Sequence, residues 1–367
     1  MENNVSVIKQ ETYDVEEIKR KFLDKFLNTF NGIGYKPRGN KILLKPNFLG
    51  LFNESKPVTT KNEIIIAMIE TLNYLGDYQI IISDSPAYST IKKIAKNKGL
   101  IELLSKYNNV ILREINSYKT VELGNNKIKV AKIIDEVDEI INLARFKTHS
   151  FQTLTCATKN LFGLVYKSEK QKQHLKNSSS SDFGEMLYLL SDYFKDKVSL
   201  NIIDCVVGME GNGPSSGTRR RLGQIILSKD SISSDLVACK MINLDPNKVP
   251  YLKFAIEKQD VNYNLVDKIK VIRNFKLPKS SKTFSGMFYT FISLFKIVSN
   301  PFKKRFFNKK PYPNKECVGC GVCWEKCPTK AIYSKNNKAK IDYNKCIKCF
   351  VCHEVCPNHV IELRYFV

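Results

Sequence analysis

The chain has 367 residues, 43% of them apolar, enough for one large domain and a small one and too many for a disordered carrier. Fifty-nine basic against 36 acidic residues give a formal charge of +23, a field that attracts anionic ligands, acidic proteins or acidic membrane surfaces. Nucleic acid is not the expected partner, because no zinc finger, recognition helix or RNP-like signature accompanies the charge.

Residues 1–14 are polar and acidic and lack an apolar run or twin arginines, so the expected compartment is the cytoplasm, with no export. Short β-branched runs then alternate with helical stretches. Helices are predicted over Val15–Phe30, Lys61–Tyr74, Ile91–Tyr107, Asp182–Phe194 and Ser231–Ile242. Strands are predicted over Lys41–Leu44, Gln79–Ser83, Val110–Arg113, Lys127–Ile134, Glu139–Leu143, Ser199–Ile203 and Gln224–Leu227. Strands separated by helices of ten or more residues imply a layered α/β domain with a largely parallel sheet over residues 1–245. Ligands gather at the carboxyl edge of such a sheet, where Lys45-Pro46-Asn47 and Asp84-Ser85-Pro86 are expected.

Lys147 and His149 are two apart on a predicted strand or its extension, so both side chains face one side and Thr148 the other. Lys159 and Asn160 follow ten residues later. Lysine offers three donors to an anionic oxygen, and histidine exchanges a proton near neutral pH. Lys45, Lys147, His149 and Lys159 can therefore bracket a carboxylate or phosphate. His149 is the candidate acid/base, with Lys147 and Lys159 beside it. In a chain this basic, the plain alternative for each lysine is a surface charge, and for the histidine a structural role. A polar loop is predicted over 168–182.

The run Glu210-Gly-Asn-Gly-Pro-Ser-Ser-Gly217 can bring backbone N–H groups close to an anion, or be a wide turn. It has no Walker lysine and no dinucleotide fingerprint. The substrate-binding candidates are thus Lys45, Asn47, Asp84, Asn160, Glu210, Gly211 and Gly213. Cys156, Cys205 and Cys239 stand among apolar or small neighbours and read as buried thiols, with Cys156 the one candidate nucleophile. Residues 246–310 read as a basic extension and linker. Within it an aromatic stripe from Phe284 to Val298 recurs at helical spacing, followed by Lys303, Lys304, Arg305, Lys309 and Lys310. It is too short to span a bilayer and fits either a linker helix or an in-plane membrane helix, giving peripheral membrane contact through 284–310.

Residues 311–367 carry the densest signal. Cys317-x2-Cys320-x2-Cys323-x3-Cys327-Pro328 is repeated as Cys346-x2-Cys349-x2-Cys352-x3-Cys356-Pro357. This is the spacing of a bacterial two-cluster ferredoxin, a small α+β domain in which each fourth cysteine ligates the other cluster. The expected cofactors are two [4Fe-4S] clusters, one on Cys317, Cys320, Cys323 and Cys356, the other on Cys346, Cys349, Cys352 and Cys327. Zinc has no use for the doubled spacing, and disulfides would need export.

Five motifs occur in order: Lys41-Ile-Leu-Leu-Lys-Pro-Asn47, Ser83-Asp-Ser-Pro86, Ile141-Asn-Leu-Ala-Arg-Phe-Lys-Thr-His149, Thr158-Lys-Asn-Leu-Phe-Gly163 and Gly208-Met-Glu-Gly-Asn-Gly-Pro214. Together they resemble the domain-of-unknown-function 362 family, which often carries a C-terminal ferredoxin module. The chain departs from the family pattern at Ala144-Arg145, where a proline-containing pair is expected. The resemblance implies no settled reaction. With no flavin or nicotinamide signature, the leading expectation is a ferredoxin-coupled oxidoreductase acting on a small anionic ligand and served by a redox partner protein. The alternatives are an electron carrier or assembly partner that binds without transforming, and a non-redox isomerase or transferase with structural clusters.

Overall fold

The computed structural model describes residues 3–53, 55–124, 126–278 and 310–364. The chain opens with β1 (Asn3–Lys9) and α1 (Val15–Leu27), whose first turn is capped by Asp14 accepting from the Glu17 amide. Strands β2 (Lys41–Pro46) and β3 (Gln79–Ile82) flank α2 (Asn62–Leu75). The predicted helix Ile91–Tyr107 is two helices, α3 (Ile91–Asn97) and α4 (Leu100–Leu104), because Gly99 adopts a left-handed φ of 65° between them. Then come β4 (Val110–Leu112) and a separate hairpin of β5 (Tyr118–Leu123) and β6 (Asn126–Ala131).

The centre of the domain is β7 (Glu139–His149), buried along its whole length, followed by β8 (Thr153–Thr155) and the short α5 (Ala157–Asn160). The predicted polar loop 168–182 is instead α6 (Glu169–Lys176) and the start of α7 (Ser180–Phe194), which Ser179 caps. Strands β9 (Val198–Glu210) and β10 (Thr218–Ser228) precede α8 (Ser231–Met241), α9 (Pro250–Glu257) and β11 (Tyr263–Leu265). Because β11 pairs in parallel with β1, the large domain extends beyond residue 245, into what sequence reading left as extension.

The main sheet runs β11-β1-β10-β9-β7-β2-β3-β4, with β8 added on β7. The β4, β3, β2, β7 and β9 neighbours are all parallel, whereas β10 is antiparallel to β9 and β1. Period-2 alternation divides the core: Ile42 and Leu44 pack on one face, and Leu43 on the other. Each such fully buried side chain stabilises the fold by roughly 1.5–3 kcal/mol. The fold is therefore the layered, largely parallel α/β sheet that the sequence implies, followed by a small α+β module.

In the module β12 (Lys310–Pro313) pairs with β15 (Ile361–Arg364), and β13 (Ile332–Lys335) with β14 (Lys338–Ile341). Two one-turn helices, α10 (Val322–Glu325) and α11 (Val351–Glu354), follow the C-x2-C turns. No helix among the described residues is long and apolar enough to cross a membrane. The aromatic stripe 284–298 and the basic residues 303–309 lie outside the described residues.

Candidate functional site at the junction of sheet and cysteine module

The carboxyl ends of β2, β3 and β7 bring together most of the expected site. Lys45 is fully buried, and its Nζ donates to Asp84 Oδ1 at 2.9 Å and to the Pro46 carbonyl. Asp84 Oδ2 accepts from the Phe48 amide at 2.7 Å. Burial lowers the Lys45 pKa and Asp84 opposes that shift, so the pair is a structural floor rather than a free cation. Gly163 sits against this floor, where a Cβ would run into Asp84 Oδ1 and Lys45 Nζ. Above it Asn47 Nδ2 donates to Asn160 Oδ1, Asn160 to Asn142, and Asn142 to Asn201. A buried amide chain of this kind fixes side-chain orientation once every member is satisfied.

Lys147 and His149 do share a side of β7, while the hydroxyl of Thr148 accepts from the Gly213 amide. Lys147 Nζ donates to Asn47 Oδ1 and to the Val58 carbonyl, both at 2.7 Å. Burial first, then the charge of Lys159, lowers its pKa to about 7. His149 is buried, and its Nδ1 accepts from the amides of Phe151 and Gln152. The proton therefore belongs on Nε2, which lies 2.6 Å from Glu354 Oε1 of α11. Burial and Lys159 lower the His149 pKa to about 4, so the ring is neutral at neutral pH. The expected exchange of a proton near neutrality finds no support in this environment. For Glu354 burial acts upward, but His149 and Lys159 outweigh it and hold the carboxylate below its usual range.

A cleft of about 440 Å³ opens beside these groups. Asn47, Asp84, Lys159 and Asn160 line it, as do Tyr88, Phe162, Lys170 and His174 from the large domain. Lys326, Val351, Glu354 and Val355 complete it from the cysteine module. Lys159 Nζ has no hydrogen-bond partner among the described residues, and burial lowers its pKa. Lys170 donates to the Ser85 carbonyl, and burial brings its pKa to about 7. His174 stacks on Phe183 at 4.4 Å, and burial lowers its pKa to about 3. Sequence reading missed Glu354, Lys170 and His174. The first lay inside a cysteine motif, and the other two in a segment taken as loop.

Three expected residues are elsewhere. Glu210 Oε2 accepts from the Lys276 amide, the Gly211 amide donates to the Lys276 carbonyl, and the Gly213 amide is turned to Gly211 and Thr148. The Gly211 and Gly213 amides are engaged within the protein, so neither is turned out toward an anion. Instead the run carries the module: Ser215 donates to the His353 carbonyl, and the His353 ring approaches the Asn212 carbonyl at 3.2 Å. Cys156 is buried beside Asp235, and burial raises its pKa well above an ordinary thiol, against a nucleophilic role. The unexpected Arg145 forms a buried ion pair with Asp204, against the ring of Tyr13.

In the module Cys323 faces Cys356, Cys317 and Cys320, while Cys327, Cys346, Cys349 and Cys352 line one cavity. Two turns repeat the same backbone: Gly319 and Gly321 have φ of 67° and 91°, and the equivalent Lys348 and Phe350 have 58° and 61°. The amides of Ala331 and Ala339 point at the sulfurs of Cys327 and Cys317, each at 3.3 Å, as N–H donors do around iron-sulfur clusters. Among the described residues no three such side chains converge on a single ion. A cubane does not ask that, because it meets each thiolate with its own iron. The donor set fits [4Fe-4S] ligation.

Residues 311–357 match a 4Fe-4S dicluster domain. A thylakoid-associated protein of Synechocystis sp. (strain ATCC 27184 / PCC 6803 / Kazusa) is 28% identical over 291 residues, covering 76% of this chain and 89% of that one. Among solved structures, a Thermotoga maritima protein aligns over 64% of this chain and 60% of its own, at 11% identity and a TM-score of 0.42. The lactate racemase apoprotein of Thermoanaerobacterium thermosaccharolyticum aligns over 64% and 56%, at 12% identity and a TM-score of 0.42. The chain thus spans less than two thirds of either solved protein. Residues 42–240 match the family described as a domain of unknown function, DUF362, and on that match the chain belongs to the DUF362 family, joined here to a 4Fe-4S ferredoxin-type module.

Proposed function

We propose that the protein is an iron-sulfur oxidoreductase that exchanges electrons between a redox partner protein and a small anionic substrate held in the junction cleft. One observation carries the reading: the cleft has walls from both units, and its module side is Lys326, next to Cys327, with Val351, Glu354 and Val355, between Cys349 and Cys356. The substrate and the electron entry point would then share one wall. Two [4Fe-4S] clusters, on Cys317, Cys320, Cys323 and Cys356 and on Cys346, Cys349, Cys352 and Cys327, would supply one-electron transfer when bound.

The protein's own groups have separable tasks in this reading. Lys159 and Lys170 attract the anion, and the Asn47–Asn160 pair orients it. Lys147 holds Asn47, and His149 positions Glu354. Lys170, with a pKa brought to about 7, is better matched to proton donation at neutral pH than His149. The description of the Synechocystis relative as thylakoid-associated is consistent with peripheral membrane contact through 284–310.

The test uses anaerobically purified protein reduced with dithionite and freed of excess reductant. Reoxidation of the clusters is followed by absorbance while small-molecule fractions of a cell extract are added. A fraction should reoxidise the native protein, and Lys159→Ala should lose that response with its cluster spectrum intact. Equal reoxidation of the variant would remove the cleft from the reaction.

A further inference from the structure

The junction cleft contains more unmatched polarity than its neighbours require. Four lysines line it (Lys159, Lys167, Lys170 and Lys326) against three acids, Asp84, Glu114 and Glu354. Lys45 already neutralises Asp84 from behind, which leaves a surplus of two positive charges when all four lysines are protonated. Two further lining residues carry buried polar atoms with no partner among the described residues: Ser85 Oγ and His174 Nδ1, in residues only 4% and 5% exposed. Burying a polar atom without a partner costs its full desolvation, so the pair is better explained by a ligand than by packing. The lining also has an apolar part, Leu49, Tyr88, Phe162, Val351 and Val355, which begins beside these groups, with Phe162 edge-on to His174 at 6.0 Å.

Building on the reading that this cleft is the ligand site, we propose that it takes an organic dianion with an apolar body. The head lies against Lys159, Lys170, Ser85 and His174, and the body against Phe162, Tyr88 and Val351. A phosphate monoester and a dicarboxylate share this chemistry. Inorganic phosphate has the charge without the body, and benzoate has a body with one charge too few. The volume of about 440 Å³ lies within the usual range for small-ligand pockets.

Isothermal titration of the cluster-loaded protein with phenyl phosphate, phthalate, benzoate and inorganic phosphate tests this. At least one of the two aromatic dianions should bind ten-fold or more tighter than benzoate and inorganic phosphate. Which one binds identifies the head group. Lys159→Ala and Lys170→Gln should each weaken that binding ten-fold or more, Lys170→Arg should keep it, and the exposed Lys176→Ala should leave it unchanged. Circular dichroism and cluster absorbance check that each variant is folded. The proposal is overturned if neither dianion binds, if benzoate binds as well, or if folded Lys159→Ala and Lys170→Gln both bind normally. Dianion binding, with no extract fraction able to reoxidise the reduced clusters, would leave this assignment standing and sink the redox reading alone.

Discussion

Lysine environments decide most of what the site can do. Lys147 is a buried ammonium whose two acceptors are neutral oxygens, and its pKa is brought to about 7. The unfolded chain, with a lysine pKa of about 10.4, then binds more protons than the folded one between about pH 7 and 10. Wild-type stability should therefore rise across that window relative to Lys147→Met, which lacks the titration. Urea midpoints at pH 7 and pH 9 check this, and a constant gap between the two proteins would contradict it. Lys170 has the same depressed pKa but lines the cleft, facing Asp84, Lys45, Lys159 and Glu354. It loses its charge above neutrality, so dianion affinity should fall toward ten-fold per unit as pH rises above about 7. In Lys170→Gln the dependence should flatten, as titrations at several pH values would show.

At the scale of elements, β2, β3 and β7 deliver their residues to one edge because they run parallel, and this much was legible from alternating strands and helices. Lys45, Asn47, Asp84, Lys159 and Asn160 do meet there. The cysteine repeat was legible for a different reason, since its ligand spacing is local in sequence. Glu354 was not legible, because its significance comes from facing His149, a contact that exists only after two units dock. Helix α6 was hidden by polar composition, although its buried Glu169, Gln173 and His174 recur at helical spacing. The run 210–217 could be read as an anion loop or a wide turn, because glycine permits close approach to protein backbone, as Gly213 makes to Thr148, as readily as to an anion. Gly163 shows the same point at the site. Gly163→Ala should force Asp84 and Lys45 apart and cost about 1–3 kcal/mol, read as a lower thermal midpoint. An unchanged midpoint would mean that the floor has room to move.

Across the whole molecule, the module docks by contacts that also build the cleft. Phe350 sits edge-on to Phe151 at 6.3 Å, His359 stacks on Phe52 at 5.8 Å, and Gln171 donates to the Glu325 carbonyl. Phe350 holds a left-handed φ of 61° at the position where the first turn has glycine, a conformation unfavourable for an aromatic residue. Docking against Phe151 gives a reason for it. Phe350→Ala should loosen the module and speed proteolytic cleavage between the two units, with the large domain's circular dichroism preserved. Cluster ligation supplies folding free energy, so iron chelation should do the same and also remove the cleft's second wall. On the proposed function, this one cleft holds an anion within reach of the clusters. Native mass spectrometry of anaerobically purified protein tests it most directly. The spectrum should show the mass of two [4Fe-4S] clusters together with a small organic anion, and loss of the anion alone from the Lys159→Ala, Lys170→Gln double variant. An anion retained by that folded variant, or a cluster-loaded wild type with no bound anion even when phenyl phosphate and phthalate are supplied, would contradict it.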